Sequence, residues 1–445
     1  MRTLENPNRG FLLYNETMKP RVVYWISRAL RTTENQALYA AQQVALAKEA
    51  ELIVWFNLRP DFPYATTRSM HFLLMGLTEV AQKLHALNIP LIVTEGDPLT
   101  NLQALHIQHP ITSVFTEHNP LKPIKSTHEQ VAHWCGDQGI RFTRINTACV
   151  IPVWDASVKL EFSAKTIRNK LMSRYEPYLE ITYPLVPHRF NLASSVEFTA
   201  TTVEQLLKKY SWKSLRLSTL VPGEDAALAQ LDHFIRNGLD HYDRRNEVTS
   251  NGQSHLSAYL HFGMLSPLTM IRKVKATGHP NAPLFIEEAM VRRELAENFV
   301  HYCENYDSLQ GAWPWAQKTL DLHRNDPREY LYSREQFENA QTHDALWNTC
   351  QQMVVHDGYL HSYLRMYWAK MVLLWSASPE EAVGTLIALN DTYFLDGRDP
   401  NGYTGILWSV AGVHDRPWFD KPVHGLIRAM GKDGTLKKTK LKISD

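Results

Sequence analysis

HSYLRMYWAKMVLLW, residues 361–375, and LNDTYFLDGRDPNGYTGILWSVAGVHDRPW, residues 389–418, form the chemically densest part of the chain. HDALWN precedes them at 343–348, and GLIR closes the region at Arg428. His361, Arg365, Trp368, Val372 and Trp375 recur at helical spacing and so share one face. A lone arginine on that face is costly to bury and needs a carboxylate or a ligand. Asp396, in LDGRD, is the natural partner. Asp357-Gly358 reads as the end of a separate helix carrying Trp347. Large aromatics also fill ordinary helical cores. Beside a loop dense in Asp, Asn and Gly, however, a tryptophan-rich interior points to redox chemistry around a large planar cofactor.

Upstream the pattern changes. VVYWIS at 22–27, LIVWFNL at 52–58, PLIVTEG at 90–96, ITSVFTE at 111–117 and RFTRIN at 141–146 read as strands, with helical patterns between them. This rhythm predicts a parallel sheet covered by helices on both faces. No GxGxxG follows the first strand, so the layout is Rossmann-like without the dinucleotide fingerprint. From about 155 to 215 the pattern weakens, and prolines 177, 184 and 187 with the Ser/Thr run near 194–202 suggest a long connection. From 224 the chain reads as helical. The expected organisation is α/β plus all-α: an N-terminal domain at 20–184, a linker at 185–223 and a helical domain at 224–445.

With 445 residues, 44% of them hydrophobic and 21% charged, the chain has the composition of a globular protein of at least two domains. The formal net charge is +1, so any nucleic-acid surface must be a local patch. One candidate is the cluster Arg428, Lys432, Lys437, Lys438, Lys440 and Lys442. The cysteines at 135, 149, 303 and 350 form no CxxC pair, which argues against structural zinc and a disulfide scaffold, and no metal is expected. No apolar run approaches a membrane span, and the N-terminus lacks the apolar core of a signal peptide. A cytoplasmic, monomeric protein is expected.

Three constellations stand out. Ser254 and Ser257, in SNGQSHLSAYLHFG, sit where a helix should begin, as caps or as an anion site. In FIEEAMVRRELAENFVHY, Glu288 and Arg292 are spaced as an i,i+4 pair, either a surface ion pair or a pocket lining. In the region first quoted, Trp347, Trp368 and Trp375 could pass an electron to a buried acceptor. Asp396, Gly397 and Asp399 could grip a ligand, with Gly397 and Gly402 permitting close backbone approach. Asn390 could face a flavin ring nitrogen, Trp408 could stack on a base, and Arg416 and Arg428 could hold phosphates.

SAYLHFG, RRELAENFVHY, THDALWN, RMYWAK, LNDTY, LDGRDPNGY and GVHD together resemble the class II cyclobutane pyrimidine dimer photolyases of the photolyase/cryptochrome superfamily. WISRALRTTEN and FLLMGL extend the resemblance into the N-terminal part. The resemblance implies an N-terminal antenna domain and a helical domain holding FAD. The antenna chromophore, where there is one, would be a deazaflavin or a folate. FAD contacts would come from Tyr242, Ser254, His255, Leu256, Ser257, His361, Ser362, Arg365, Asn390, Asp396, Gly397 and Asp399. Electron transfer would run through Trp368, Trp347 and Trp375, in that order outward. Glu288 and Trp408 would meet the dimer, and Arg292, Trp408, Arg416 and Arg428 the DNA. The chain departs from the family at His255, where the class often has Asn. The implied activity is light-driven repair of pyrimidine dimers in UV-damaged DNA by electron transfer from reduced FAD to the flipped dimer. The alternative is a cryptochrome-like flavin blue-light sensor. A (6-4) photolyase would need a histidine pair that the sequence does not offer.

Overall fold

The computed structural model describes residues 19–191 and 196–441; Lys442, the N-terminal stretch to residue 18 and Ser194–Ser195 lie outside them. Strands β1 (Arg21–Ile26), β2 (Glu51–Leu58), β3 (Leu91–Glu95), β4 (Ile111–Glu117) and β5 (Arg141–Ile145) form one parallel sheet in the order β3-β2-β1-β4-β5. β1 lies between β2 and β4, with Trp25 level with Trp55 on one side and Thr116 on the other. β1, β2 and β4 are buried along almost their whole length, whereas the edge strands β3 and β5 are half-exposed. Continuous apolar runs such as LIVWF are what a sheet covered on both faces requires. The chain order reverses between β1 and β4, the place where open α/β sheets leave a crevice at the strand ends.

The helical part follows the expected periodicity, with local exceptions. Its long members include Glu224–Asn237, Pro267–Ala276, Arg293–Tyr302, Ala345–Asp357, Ser362–Trp375, Pro379–Tyr393 and Pro400–Ala411. Ala345–Asp357 ends at Gly358 (φ 68°), whose left-handed backbone closes the helix as the Asp-Gly pair predicts. SNGQSHLSAYLHFG forms only the short helix Ser257–His261.

The segment expected as a linker is docked onto the sheet domain. Asn191 donates to Leu52 O and accepts from Leu52 N, and the helix Ala200–Lys209 packs on Thr67–Ala86. One hydrophobic core runs from Val22 and Val54 through Leu231 and Phe262 to Leu295, joining the sheet to the helices across that segment. A second surrounds Trp347, Trp368 and Phe299. The basic tail forms the helix Lys432–Thr439 against Ser362–Trp375, and Lys440 pairs with Glu247 at 2.8 Å. All four cysteines are free thiols. Among the described residues no helix is long and apolar enough to cross a membrane, and no group of acidic, His or Cys side chains could hold a metal.

Candidate functional site

A cavity of about 780 Å³ opens between the helices Ser257–His261, Ser362–Trp375 and Pro400–Ala411. Ligand pockets commonly occupy roughly 300–1,000 Å³, so it is large enough for a dinucleotide. Arg365 enters it from Ser362–Trp375 and meets Asp396 at 3.0 Å and 3.2 Å, the carboxylate that its charge requires. Its other terminal nitrogen donates to Asn390 Oδ1, while Asn390 Nδ2 donates to Asp391 at 2.7 Å. The amide oxygen is thereby fixed toward the guanidinium, and Asn390 reaches the cavity at a defined orientation. Two glycines permit this geometry. A Cβ on Gly397 would lie 2.5 Å from Asn390 O, and one on Gly402 2.9 Å from Asn390 Nδ2. Gly397 itself lies outside the cavity wall, so its close approach is to Asn390 and not to a ligand.

Asp399 borders the cavity, but its carboxylate is already engaged. Oδ1 accepts from Asn401 N at 2.9 Å as the N-cap of Pro400–Ala411, and Oδ2 faces His261 at 3.4 Å and Arg28 at 3.8 Å. Burial alone would raise this carboxyl; the His261 contact and the charges of Arg28 and Arg293 hold it well below the usual carboxylate range. His361 stands behind the wall as the N-cap of Ser362–Trp375, accepting from Tyr363 N at 3.3 Å, while Ser362 faces the cavity.

On the opposite wall, residues 287–292 form a π-helical turn between two α-helical stretches. The wider turn changes the pairing expected from sequence. Arg292 bonds Glu287, five residues back, at 3.2 Å, and Glu288 turns away to Arg245 at 3.1 Å. The i,i+4 pair Glu288–Arg292 does not form, because residues five apart align in a π turn. Glu288 and Arg292 both line the cavity nonetheless.

Tyr242, Ser254, His255, Leu256 and Ser257 complete one end of it. Leu256, not a serine, is the N-cap of Ser257–His261 and makes no side-chain cap, so the capping expected of Ser254 and Ser257 is absent. His255 adopts φ 54° and packs on Tyr359 with ring centroids 4.9 Å apart. Asn, Asp and His are the non-glycine side chains enriched at such left-handed positions, so His255 is accommodated there. Thr404 Oγ1 and His414 Nε2, on residues that line the same cavity, are buried without a partner among the described residues. A polar ligand would satisfy them.

Trp368 borders the cavity from behind. Its ring lies parallel to Trp347 within 9°, with centroids 6.3 Å apart, and Trp347 is 6.3 Å from Trp375. Indole hydrogen bonds hold the geometry: Trp347 Nε1 donates to Trp368 O and Trp368 Nε1 to Gln351 Oε1, each at 2.9 Å. Trp375 is only 4% exposed and does not reach solvent; the aromatic array continues to Tyr332 and the exposed His343. At the cavity mouth, Trp408 is half-buried and Arg428 exposed. Arg416 lies outside the wall, and both arginines approach the Trp418 ring, at 5.4 Å and 4.7 Å.

The DNA photolyase family profile matches residues 22–184. Proteins called deoxyribodipyrimidine photo-lyase resemble the chain far beyond that span. The one from Arabidopsis thaliana is 38% identical over 95% of this chain and 88% of its own length. Those from Potorous tridactylus and Methanothermobacter thermautotrophicus are 39% and 36% identical, each over 94% of this chain and over 79% and 92% of their own lengths. This chain belongs to the DNA photolyase family. Two solved structures share the photolyase fold at low identity. A Synechocystis cryptochrome aligns with TM-score 0.73 at 15% identity, over 95% of this chain and 87% of its own. A Sulfolobus tokodaii photolyase with two FAD molecules aligns with TM-score 0.72 at 17% identity, over 94% and 87%.

This photolyase fold carries a second, smaller cavity of about 180 Å³, which the sequence did not reveal. It lies at the carboxyl ends of β1 and β2, between Trp25, Phe56, Phe62 and Phe262, and shares Asp399 and His261 with the larger one. His128 borders it with both ring nitrogens buried and unpaired among the described residues, packed edge-on against Trp25 at 4.8 Å. Burial pushes its imidazole down to about 3, so the ring is neutral. Arg245, Gln351 and Tyr359 also escaped sequence reasoning. Arg245 had a signal, lying three residues after Tyr242 in YDRRN. Gln351 and Tyr359 had none, since each matters only through a neighbour distant in sequence.

Proposed function

We propose that this chain is a class II photolyase that binds FAD in the larger cavity and uses light to split cyclobutane pyrimidine dimers in DNA. The observation that carries the reading is the convergence, on one cavity, of Arg365–Asp396–Asn390, the Glu288–Arg245 pair, Trp408 and the inner end of the tryptophan array. FAD is the cofactor of this family, and the cavity's volume, its unpaired Thr404 and His414 atoms and its charged wall suit a large ligand that is part apolar and part polar. When bound and reduced, FAD supplies the electron that the repair requires.

The protein's own residues hold and orient. Arg365 places a positive charge and Asn390 an amide on the cavity wall, both fixed by Asp396 and Asp391. Trp408 offers an indole at the mouth, on which a flipped base can stack. Glu288 alone would repel negative charge developing on the dimer. Arg245 compensates it and leaves the pair able to orient the substrate without net repulsion. Arg292, Arg416 and Arg428 are exposed near the opening and suit phosphate contacts. The smaller cavity, at the strand ends beside the order reversal, is the candidate place for a light-harvesting chromophore; at about 180 Å³ it has room for part of a planar ring system only.

The test is direct. The purified protein should show a flavin spectrum and, once reduced, should remove thymine dimers from an oligonucleotide only under blue or near-UV light. A flavin spectrum with no repair would favour a light sensor on the same fold.

A further inference from the structure

Lys370 lies in the middle of Ser362–Trp375 and is wholly buried. It has no carboxylate within 4.0 Å among the described residues; its ammonium position donates to Ser409 O at 3.0 Å and sits 4.5 Å from the centre of the Trp408 ring. That ring borders the cavity mouth. The titratable groups that act on Lys370 come from the segment after Pro400–Ala411: Asp415 and Arg428, both charged, with the neutral His424 also within its influence. Of the helices packed on Ser362–Trp375, Lys432–Thr439 brings Asp433 to act on Tyr367, one turn from Lys370. A buried amine without a carboxylate is normally replaced by an apolar side chain. Here it supports an aromatic platform.

We propose that Lys370 is a positioning residue acting through Trp408, and that docking of a DNA phosphate beside Arg428 is accompanied by uptake of one proton onto Lys370. The inference rests on the reading of Trp408 and Arg428 as the DNA side of the cavity. Burial pushes the free amine down to about 7, with Arg428 adding to the push against Asp415. A phosphate on Arg428 cancels that repulsion and adds negative charge, so the protonated form gains. The proton comes from solvent and converts the amine to an ammonium. An ammonium holds the indole face more firmly than a neutral amine does, by cation–π attraction. Trp408 is thus stiffened when substrate arrives. Because the protonated form is favoured in the complex, affinity falls as pH rises above the free value, by at most tenfold per unit.

Calorimetric titration of the flavin-loaded protein with a thymine-dimer duplex, at pH 8 in two buffers of different ionisation heat, reads proton uptake directly. At that pH, His414 and His424, which burial pushes down to about 3 and about 4, stay neutral and do not interfere. The wild type should take up a substantial fraction of a proton. Lys370→Met should take up close to none, bind severalfold more weakly at pH 7 and lose the pH slope. Its salt dependence should stay unchanged, since Lys370 touches no phosphate. Equal uptake by the two proteins overturns the inference, and so does a reduced salt slope in the variant. Wild type that does not bind the duplex overturns the functional reading and this inference with it. Methionine matches the volume of the buried stem; should its flavin spectrum be disturbed, Lys370→Gln takes its place in the same titration.

Discussion

Arg365 sits three residues before Trp368 on one helix, and its charge has to be answered from elsewhere. Asp396 and Asn390 answer it. This pairing was legible in sequence because a lone arginine between tryptophans demands a partner and LDGRD supplies one. The helix start at Ser257 was legible but its cap was not, since the backbone turns left-handed at His255 and Leu256 takes the N-cap position. The role of Trp368 can be separated from repair. Trp368 alone of the three tryptophans lines the cavity, and Trp347 lies parallel to it. Trp368→Phe should therefore slow photoreduction of the oxidised flavin at least tenfold, followed by absorbance under illumination with an external reductant. Repair by chemically pre-reduced variant should stay within about twofold of wild type, because Phe keeps the packing. Loss of repair in the pre-reduced variant would place Trp368 in substrate handling.

Elements show the same division between local signal and tertiary accident. The strands, the helix end at Gly358 and the long helices follow from apolar periodicity and turn chemistry. The π turn at 287–292 does not, because its sequence, EEAMVR, reads as an ordinary helix and the wider spacing shows only in the Arg292–Glu287 contact five residues apart. Gly358 has a heavier task than ending a helix. It sets the angle between Ala345–Asp357, carrying Trp347, and Ser362–Trp375, carrying Trp368. Arg68 seals this joint, donating to Tyr393 O and His356 O at 2.8 Å and to Val355 O. A Cβ on Gly358 would sit 3.0 Å from Arg68 Cδ and Nη1. Gly358→Ala then combines left-handed strain of about 1–2 kcal/mol with crowding of that guanidinium. It should lower unfolding free energy by about 2 kcal/mol in urea titrations, and slow photoreduction by disturbing the tryptophan stack. A change under about 0.5 kcal/mol would mean the joint relaxes freely, as surface positions do.

At the scale of the molecule, a linker is expected at 185–223, within and just beyond the stretch of about 155–215 where the sequence pattern weakens, yet the packing continues across it. Apolar spacing shows which residues are buried but not which element they are buried against, so the shared core and the second cavity were invisible in sequence. A buried charged contact ties the halves in addition to that core. Arg28, directly after β1, forms a two-bonded pair with Glu297 in Arg293–Tyr302, and both side chains are nearly inaccessible. The same guanidinium reaches Asp399, on the wall shared by the two cavities. Removing one partner of a buried pair leaves the other charge stranded, at a cost of about 3–5 kcal/mol. Arg293, 3.8 Å from Glu297, offsets only part of this. Arg28→Met should therefore cost about 3 kcal/mol. Because the core is continuous, the far-UV signal and flavin release should still move down in temperature together. Separation into two transitions, with the flavin-bearing half melting as in wild type, would show that the halves fold independently and that Arg28 serves the sheet domain alone.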